Sequence, residues 1–583
     1  LKKLADYGFD AATGVWAECP GYSSVVVGDY ASFVSLFDEN LGMDLTKEIP
    51  VLSKAVEAMP QYLFPNRMVC GFGDTHPSTL RTDIFRYMIQ NARTHGKPEE
   101  ERKFTAMLKL FDPSSSLPVA ERGKAPVAIT SFFAGKPLVL DEKVKAGQID
   151  DYVTPTFYAP NVSWLVQRNG MNPRHSLMVS LNGSEGNHMH ANGISMELYG
   201  KGYVLGPDAG IGKTLYQGLD YLEYYSQFPS HNTVCVDGIS SYPVMKSNHS
   251  FKLRALYPAV GERIPYQPIS YSEVYFREPE TFADQTRLNG IVNVGDSAGY
   301  YIDIFRSRKV EGGDKMHDYF YHNLGQHMTL TAADGSELRL QPTQELAFAG
   351  AHLYAYSYIY NKKRAVTNKD VKAGFTIQMP DKDDITMNLW MKGEEGREIF
   401  SALSPMTEGL SRIKNMPYSI KDQPTLTFVA RQKGEAWNRP FVAVYEPSTV
   451  KESSCIAAVD YPQVKSEQQG SHVGIRVALT NGNVDWILSS DENAHHCKLE
   501  KLQARAGYAL CRQSEKGETL QAFLGNGTQL EADGVSIRTD VPADVLLLKQ
   551  DGKWMYTATA PCRVVVGKKK YTLSATNVLT CLK

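Results

Sequence analysis

The chain lacks a long hydrophobic run, an excess of charge of one sign and a closely spaced pair of cysteines. No stretch approaches the roughly eighteen apolar residues of a membrane span, so we expect no membrane span. Its 62 Lys and Arg balance 64 Asp and Glu to a net charge of −2, which does not favour nucleic acid as a partner. An anionic polymer would need a local basic patch instead.

The eight cysteines have no CxxC spacing, which argues against a zinc site built from cysteines. Free thiols and a few disulfides both stay open. The chain also has no initiating Met and no signal-peptide pattern, so we expect residue 1 not to be the start of the gene product.

The pattern of apolar residues changes along the 583 residues, a length that suits two to four domains. Helical spacing occurs at 26–40, 46–63, 77–97 and 98–112. From about residue 160, short alternating runs broken by Gly, Asn, Asp and Pro predict antiparallel strands, and their number favours stacked sandwiches. We therefore predict an α+β multidomain chain with helices at 1–112, a linker at 113–160, a central antiparallel β-sandwich at 161–445 and a C-terminal β-sheet domain at 446–583.

Histidines and a carboxylate are concentrated between Asn187 and Asp237. Side chains two apart in a strand point to the same face, so His188 and His190 are predicted to lie close together on one side. The run 194–199, the glycine-containing turn 200–202 and the run 203–208 predict a hairpin that returns Asp208 beside His190.

His231 precedes another strand-like run, 232–237, which can bring a third imidazole to the same place. Two histidines and an aspartate are a common ligand set for zinc. An ordinary set of hydrogen-bonded histidines in a sheet explains the same pattern, and the residues alone do not decide between the two.

Several segments together resemble the heparinase II/III-like polysaccharide lyases, a group that includes heparin lyases and exo-acting alginate lyases. The resemblance covers roughly residues 8 to 330. It rests on His188-Met189-His190-Ala191-Asn192 with Ser195 and Leu198-Tyr199, on Asp208-Ala209-Gly210, on Ser230-His231-Asn232-Thr233-Val234-Cys235-Val236-Asp237-Gly238, on the segment 14–23 with Tyr22, and on 303–307 and 317–322.

The resemblance implies the C-terminal part of an incomplete (α/α) toroid followed by antiparallel β-sandwich domains, with the cleft where they meet. Only about four helices are predicted before the linker, fewer than a toroid needs. We therefore expect a further N-terminal helical part of the same protein, carrying the residue that neutralises the substrate carboxylate. A secreted or periplasmic location of bacterial type is also implied.

The implied reaction is β-elimination on a uronic-acid-containing polysaccharide, an anionic substrate. The enzyme removes the C5 proton, expels the C4 oxygen and must neutralise the charge that develops on the carboxylate. By resemblance, Tyr22 and His188 are catalytic, and Tyr225 is a further catalytic tyrosine with Tyr224 and Tyr221 as rivals. The resemblance also makes His190, Asp208 and His231 the ligands of a structural zinc ion.

Three more residues are predicted to bind substrate. Arg67 and the 71–76 loop with His76 suit anion binding, although an ordinary Asp/Thr cap explains the loop equally. Glu18 suits sugar binding or catalysis, or is simply a charge at a helix start. By contrast, His495-His496 and Lys568-Lys569-Lys570 are predicted to be solvated surface.

Two other functions compete with the lyase. A glycoside hydrolase on the same scaffold needs two carboxylates facing each other across the cleft, and the candidates are Glu18, Glu197, Asp208 and Glu223. A non-catalytic glycan-binding protein would use the histidine cluster only as structure, and a large distance between Tyr22 and His188 would favour it.

Overall fold

The computed structural model describes residues 1–116, 138–212, 218–240, 246–347, 354–407, 409–413 and 416–583. Its first part is helical. The α-helices in the described residues are α1 (Lys2–Gly8), α2 (Pro20–Leu41), α3 (Val51–Ala58), α4 (Asp83–Thr94) and α5 (Pro98–Phe111).

Local chemistry sets the ends of these helices. Pro20 and Pro98 open α2 and α5, where a missing backbone N–H costs nothing. Gly42 ends α2 in the left-handed region, with φ of 65°, and its amide donates to the Asp38 carbonyl. The predicted helix at 46–63 is shorter, because the α-helix stops at Ala58 and a tighter turn, Met59–Tyr62, follows.

The rest of the chain is built from antiparallel strands. The first group is β1 (Thr156–Ala159), β2 (Trp164–Arg168), β3 (Met178–Asn182), β4 (Ser184–Asn187), β5 (Ser195–Gly200), β6 (Tyr203–Gly206), β7 (Val234–Val236) and β8 (Lys246–His249). The second group is β9 (Lys252–Tyr257), β10 (Ile269–Arg277), β11 (Ala283–Asn293), β12 (Gly299–Lys309), β13 (Met316–Asn323), β14 (His327–Ala332), β15 (Gln341–Pro342), β16 (Tyr360–Thr367), β17 (Val371–Ile377), β18 (Ile385–Met391), β19 (Arg397–Ser404), β20 (Thr425–Lys433) and β21 (Ala436–Thr449). The third group is β22 (Ile456–Asp460), β23 (Lys465–Ser466), β24 (His472–Leu479), β25 (Val484–Ser490), β26 (His496–Leu499), β27 (Leu502–Gln513), β28 (Thr519–Ala532), β29 (Val535–Gln550), β30 (Lys553–Ala558), β31 (Cys562–Val566), β32 (Lys569–Leu573) and β33 (Thr576–Cys581).

These strands form four large sheets. A five-stranded sheet runs β1-β2-β3-β5-β6, an eight-stranded sheet β14-β17-β18-β21-β12-β11-β10-β9, and a six-stranded sheet β15-β16-β19-β20-β13-β7. A twelve-stranded sheet holds β22 to β33, and β4 pairs separately with β8. The predicted hairpin of 194–208 is confirmed, since β5 and β6 pair with Gly200 opposite Tyr203.

The eight-stranded sheet is buried on both faces. Strand β12 shows this, because successive side chains point to opposite faces. Phe305 packs in a core shared with Phe428 of the six-stranded sheet, whereas Ile304 packs in a core shared with Leu510 of the twelve-stranded sheet. The helices pack on the five-stranded sheet in a core of their own.

The prediction of helices followed by antiparallel sheets is thus confirmed at this level, and membership of a toroid stays a prediction. Two predicted boundaries differ in detail. Strand β1 lies inside the predicted linker 113–160, of which residues 117–137 lie outside the described residues. Strand β21 continues to Thr449, past the predicted start of the last domain at 446.

All eight cysteines are free thiols, which settles the alternative left open by their spacing. Across the described residues, the helices are too short or too polar to cross a membrane.

Candidate catalytic cleft and metal cluster

Two aromatic rings stack where the helical part meets the sheets. Tyr22 lies in the first turn of α2, and His188 follows the end of β4. Their ring centroids are 3.7 Å apart and their planes differ by 4°. Tyr22 is half-buried and the His188 side chain is 21% exposed, so the pair is accessible from solvent.

The backbone at His188 departs from the predicted strand. Its φ is 56°, in the left-handed region, and β4 already ends at Asn187. The alternation of a strand therefore does not apply, and the prediction that His188 and His190 share one face is wrong. His188 lies against Tyr22, whereas His190 is fully buried next to Asp74 and His231.

Glu18 lies on the edge of the same cleft. Its Oε1 is 3.7 Å from Nδ1 of His188, and its side chain is 14% exposed. A single parallel bridge to Asn187 holds this segment against β4. The segment before α2 thus supplies a carboxylate beside the imidazole.

The 71–76 loop connects the helical part to the sheet part through hydrogen bonds of Asp74. The Asp74 amide donates to the His188 carbonyl at 3.0 Å. Its buried carboxylate accepts hydrogen bonds at the same oxygen, Oδ1, from the Tyr221 hydroxyl at 2.7 Å and from His190 Nε2 at 2.9 Å. This approach needs Gly73, with φ of 65°, because a Cβ there would lie 2.6 Å from the His188 carbonyl oxygen.

His190, Asp208 and His231 come together as predicted and can hold a metal ion. Their ligand atoms lie within 4.8 Å of one another, and all three residues are buried. His231 Nδ1 is 2.8 Å from Asp208 Oδ2. His190 Nδ1 and His231 Nε2 are buried without a hydrogen-bond partner, which is costly unless something binds them. The donor set of two imidazoles and a carboxylate therefore fits a transition metal.

Of the tyrosines considered from sequence, Tyr221 is hydrogen-bonded to this network. Tyr225, the first choice, is buried and its hydroxyl donates to the Met406 carbonyl at 2.9 Å. Both belong to one short helical turn, Tyr221–Tyr225. The hydroxyl of Tyr221 reaches Asp74, which connects it to both His190 and the cleft.

A groove beside Tyr22 contains His76 and a cation that sequence reasoning missed. Tyr22, Asp74, His76, Arg81 and Arg412 all line it. Burial and the Arg412 charge lower the pKa of His76, against the opposing charge of Asp74. His76 therefore tends to be neutral there, while Arg412, which is exposed, supplies a positive charge.

Arg67 lies elsewhere. Its guanidinium donates to the Leu110 carbonyl at 3.0 Å, and it lines a separate depression with Arg174 and Lys201. The structure therefore does not bring the predicted substrate-binding Arg67 to the Tyr22 groove.

The other carboxylates considered for hydrolysis are buried or hydrogen-bonded to neighbouring residues. Glu197 is 1% exposed, and burial together with the Asp208 charge raises its pKa to about 8. The Gly71 amide and Asn182 oppose this by donating to it. Glu223 accepts from the Tyr358 hydroxyl. Of the four carboxylates considered for hydrolysis, only Glu18 contacts the Tyr22–His188 pair.

The helical part is similar to a domain of known lyases. Residues 12–116 match the family model described as "Endo-acting ulvan lyase 2nd domain". Over 559 residues the chain is 25% identical to an endo-acting ulvan lyase from Formosa agariphila, and the alignment covers 90% of this chain. Over most of its length the chain is thus similar to a polysaccharide lyase. It spans 65% of the length of that relative.

Solved lyase structures also align with this chain. A heparinase III matches with a TM-score of 0.49 at 12% identity, over 82% of this chain and 59% of that one. Heparan sulfate lyase HepC from Pedobacter heparinus matches with a TM-score of 0.46 at 13% identity, over 81% and 58%.

Proposed function

We propose that the chain carries the catalytic cleft of a polysaccharide lyase that cleaves a uronic-acid-containing polysaccharide by β-elimination. The observation that carries this proposal is the stack of Tyr22 on His188. It places a phenol and an imidazole in contact in a groove open to solvent. Those two groups are the acid and base types that the reaction requires.

The two residues take complementary parts. His188 accepts the C5 proton, because a neutral imidazole has a free lone pair. The C4–O4 bond then breaks, a C4=C5 double bond forms, and the departing O4 takes a proton. Tyr22 supplies that proton, because a phenol keeps its proton at neutral pH. The negative charge of Glu18, 3.7 Å from His188 Nδ1, stabilises the imidazolium that forms.

The substrate carboxylate needs a positive charge or a hydrogen-bond donor close by, because negative charge accumulates on it as C5 loses its proton. Arg412 and His76 line the groove next to Tyr22. We assign the neutralising positive charge to Arg412. His76 serves as a neutral hydrogen-bond donor to the substrate carboxylate, because its lowered pKa disfavours the imidazolium.

The substrate is proposed from the relative. The similar protein is named an endo-acting ulvan lyase, so ulvan is the first polymer to test. A groove with Arg81 and Arg412 on its wall suits an anionic chain, even though the net charge of the protein is only −2.

The buried cluster is proposed as a structural zinc site. His190, Asp208 and His231 would hold the ion, which when bound would link the residues after β4, β6 and the turn before β7. Tyr225 stays a proposed catalytic tyrosine beside Tyr221. We also keep as proposals that the helices belong to an (α/α) toroid domain and that the protein is secreted or periplasmic.

The competing functions have weaker support. A glycoside hydrolase needs a second carboxylate facing Glu18, and the other three candidates are buried or hydrogen-bonded away from the cleft. A large distance between Tyr22 and His188 would have favoured a glycan-binding role, but the two side chains are in contact.

The test follows both possible products. The full-length protein is incubated with ulvan, heparan sulfate, chondroitin and alginate while ultraviolet absorbance and reducing ends are recorded. A lyase raises both signals, because the new double bond is conjugated with the carboxylate. His188→Gln should abolish the rise, whereas His327→Gln, a change at an exposed histidine, should not. New reducing ends without absorbance would overturn β-elimination in favour of hydrolysis.

A further inference from the structure

A second group of two histidines and an aspartate lies far along the chain from the first. His472, Asp491 and His495 have ligand atoms within 4.8 Å of one another. His472 begins β24, opposite Ser490 at the end of β25, and Asp491 follows directly. The turn from Asp491 then brings His495 back, so one hairpin end supplies all three donors.

The space between these donors is kept open by Gly470. A Cβ at this position would lie 2.8 Å from Asp491 Oδ1, 3.0 Å from His495 Nδ1 and 3.0 Å from His472 Cε1. One point is thus close to all three side chains. His495 Nδ1 is buried without a hydrogen-bond partner, although the residue as a whole is half-exposed. A buried nitrogen of this kind calls for a bound partner.

The hydrogen bonds around His472 fix which of its two nitrogens carries the proton. Nε2 is 3.1 Å from the Gln468 carbonyl, which can only accept, so Nε2 carries the proton. Nδ1 therefore keeps its lone pair. A metal-bound histidine typically donates its other N–H to a carbonyl in this way, which fixes the ring and its tautomer.

Two groups lie next to Nδ1, the Ser490 hydroxyl at 3.1 Å and a thiol. Cys497 Sγ is 3.4 Å from His472 Nδ1, and Cys497 is fully buried on β26. Two imidazoles, a carboxylate and a thiol match the donors that zinc prefers, and they are too soft for calcium or magnesium.

We infer that His472, His495 and Asp491 form a second transition-metal site, of the zinc type, with Cys497 placed to complete it. The site is independent of the cleft and of the His190 cluster, and it does not depend on the lyase activity.

The position of this site indicates a structural role between two sheets. Asp491 Oδ2 accepts from Trp437 Nε1 of β21 at 2.8 Å, and the neighbouring Ser471 accepts from Arg306 of β12 through its hydroxyl. Both β12 and β21 belong to the eight-stranded sheet, whereas the ligands belong to the twelve-stranded one. A metal here would fix the end of the β24–β25 hairpin against the central sheet.

The experiment measures metal content and metal spectra in the full chain. Protein stripped with a chelator is reloaded with zinc, and bound zinc per chain is determined by elemental analysis. The His231→Ala background weakens the first cluster, so the second can be counted alone. Gly470→Ala tests the geometry without removing any donor, because the added methyl occupies the shared point. His495→Ala removes one donor, and His496→Ala is the matched control next to it.

We expect the His231→Ala protein to retain one zinc per chain and to keep it in His496→Ala. Gly470→Ala and His495→Ala should bind zinc at least about tenfold more weakly. A tenfold loss of metal affinity is the lower end of the range seen when a residue that only supports a metal ligand is removed. Circular dichroism confirms that each variant is folded. Equal zinc content in the parent and in Gly470→Ala would overturn the inference.

Cobalt substitution tests the fourth donor. Four-coordinate cobalt absorbs in the visible, and a thiolate ligand adds a near-ultraviolet charge-transfer band. Loss of that band in Cys497→Ser, with the visible bands retained, would place Cys497 on the metal. If no visible bands of tetrahedral cobalt appear in the His231→Ala protein, the proposed site does not exist.

Discussion

Two junctions of this molecule each combine a tyrosine, a carboxylate and a basic side chain, but with different burial. At the helix–sheet junction, Tyr22, His188 and Glu18 face a groove and are partly exposed. At the junction of the eight-stranded and twelve-stranded sheets, Tyr300 donates to Asp485, which Arg512 also holds through two hydrogen bonds of 2.7 Å. Here the side chains are buried, and the Asp485 carboxylate is paired with Arg512.

The difference shows how a group that holds two layers together can be distinguished from a group that reacts with substrate. A buried, fully paired tyrosine–carboxylate–arginine group holds two layers in register and has no spare capacity for a ligand. A tyrosine stacked on a histidine at the surface of a groove stays available to a substrate. Accessibility to solvent, rather than residue type, therefore marks the reactive junction.

The largest expected effect is on activity at the helix–sheet junction. Tyr22→Phe should lower kcat on the polymer that is cleaved by about 10²- to 10⁴-fold, the usual range for loss of a general acid or base. Its unfolding should be unchanged. Tyr300→Phe, the same change at the sheet–sheet junction, should lower stability and leave kcat per folded molecule unaltered. Steady-state kinetics and urea unfolding measure the two effects. Lower stability with unchanged kcat in Tyr22→Phe, or lower kcat with unchanged stability in Tyr300→Phe, would contradict the comparison.

The next effect is on stability at the sheet–sheet junction. Asp485→Ala leaves Arg512 buried without its carboxylate, so we expect a loss of about 3–5 kcal/mol in the free energy of unfolding. Asp540→Ala removes the exposed partner of Arg563 and should change it by less than about 1 kcal/mol. Urea titrations measure both. A small loss for Asp485→Ala would mean that this junction does not depend on the buried pair.

A smaller, pH-dependent effect is expected at Asp544, which also lies at the sheet–sheet junction. Burial raises its pKa to about 6, against hydrogen bonds from the Asn526 amide and the Tyr271 hydroxyl that lower it. The folded state thus holds the proton more tightly than the unfolded state, so Asp544 reduces stability as the pH rises from about 4 through 6.

Asp544→Asn keeps the accepting oxygen and cannot ionise. It should therefore be more stable than the parent by about 2 kcal/mol near pH 8, and equal to it near pH 4. Thermal or urea unfolding at the two pH values checks this. An equal gain at both would show that ionisation of Asp544 is not the cause.

The smallest expected effect concerns the left-handed glycine beside the cleft, Gly73. Gly73→Ala forces a left-handed residue and a contact with the His188 carbonyl, so we expect a loss of about 1–3 kcal/mol together with lower activity. Gly96→Ala has nearly the same φ, 64°, with open space around the added carbon. It should cost about 1 kcal/mol and leave activity intact. Equal activity in both variants would separate the Gly73 contact from catalysis.

The sequence predicted the parts of the fold that local pattern controls. Alternation and the turn at 200–202 identified the β5–β6 hairpin, and that hairpin correctly brought Asp208 to His190. The same rule failed at His188, because its φ of 56° ends the alternation. Histidine adopts this left-handed conformation more often than most residues do, but residue type alone does not identify the position.

Residues that act through long-range contacts were the ones missed. Asp74 belongs to a loop that was predicted to bind anions, yet its buried bonds to Tyr221 and His190 depend on the packing of the helices against the sheets. Arg412 gave no signal at all. His495 was predicted to be solvated surface, and only the folded hairpin buries its Nδ1 beside Asp491.

The hydrogen bonds of Asp74 also indicate when the cleft forms during folding. Its carboxylate is held by His190, 116 positions later, and by Tyr221, 147 positions later. Contacts of such long range form after local ones, because a long loop must close first. During synthesis the helices therefore emerge well before the segment that completes their reactive edge. A truncated or partly folded chain would carry an intact α2 and still have no working cleft.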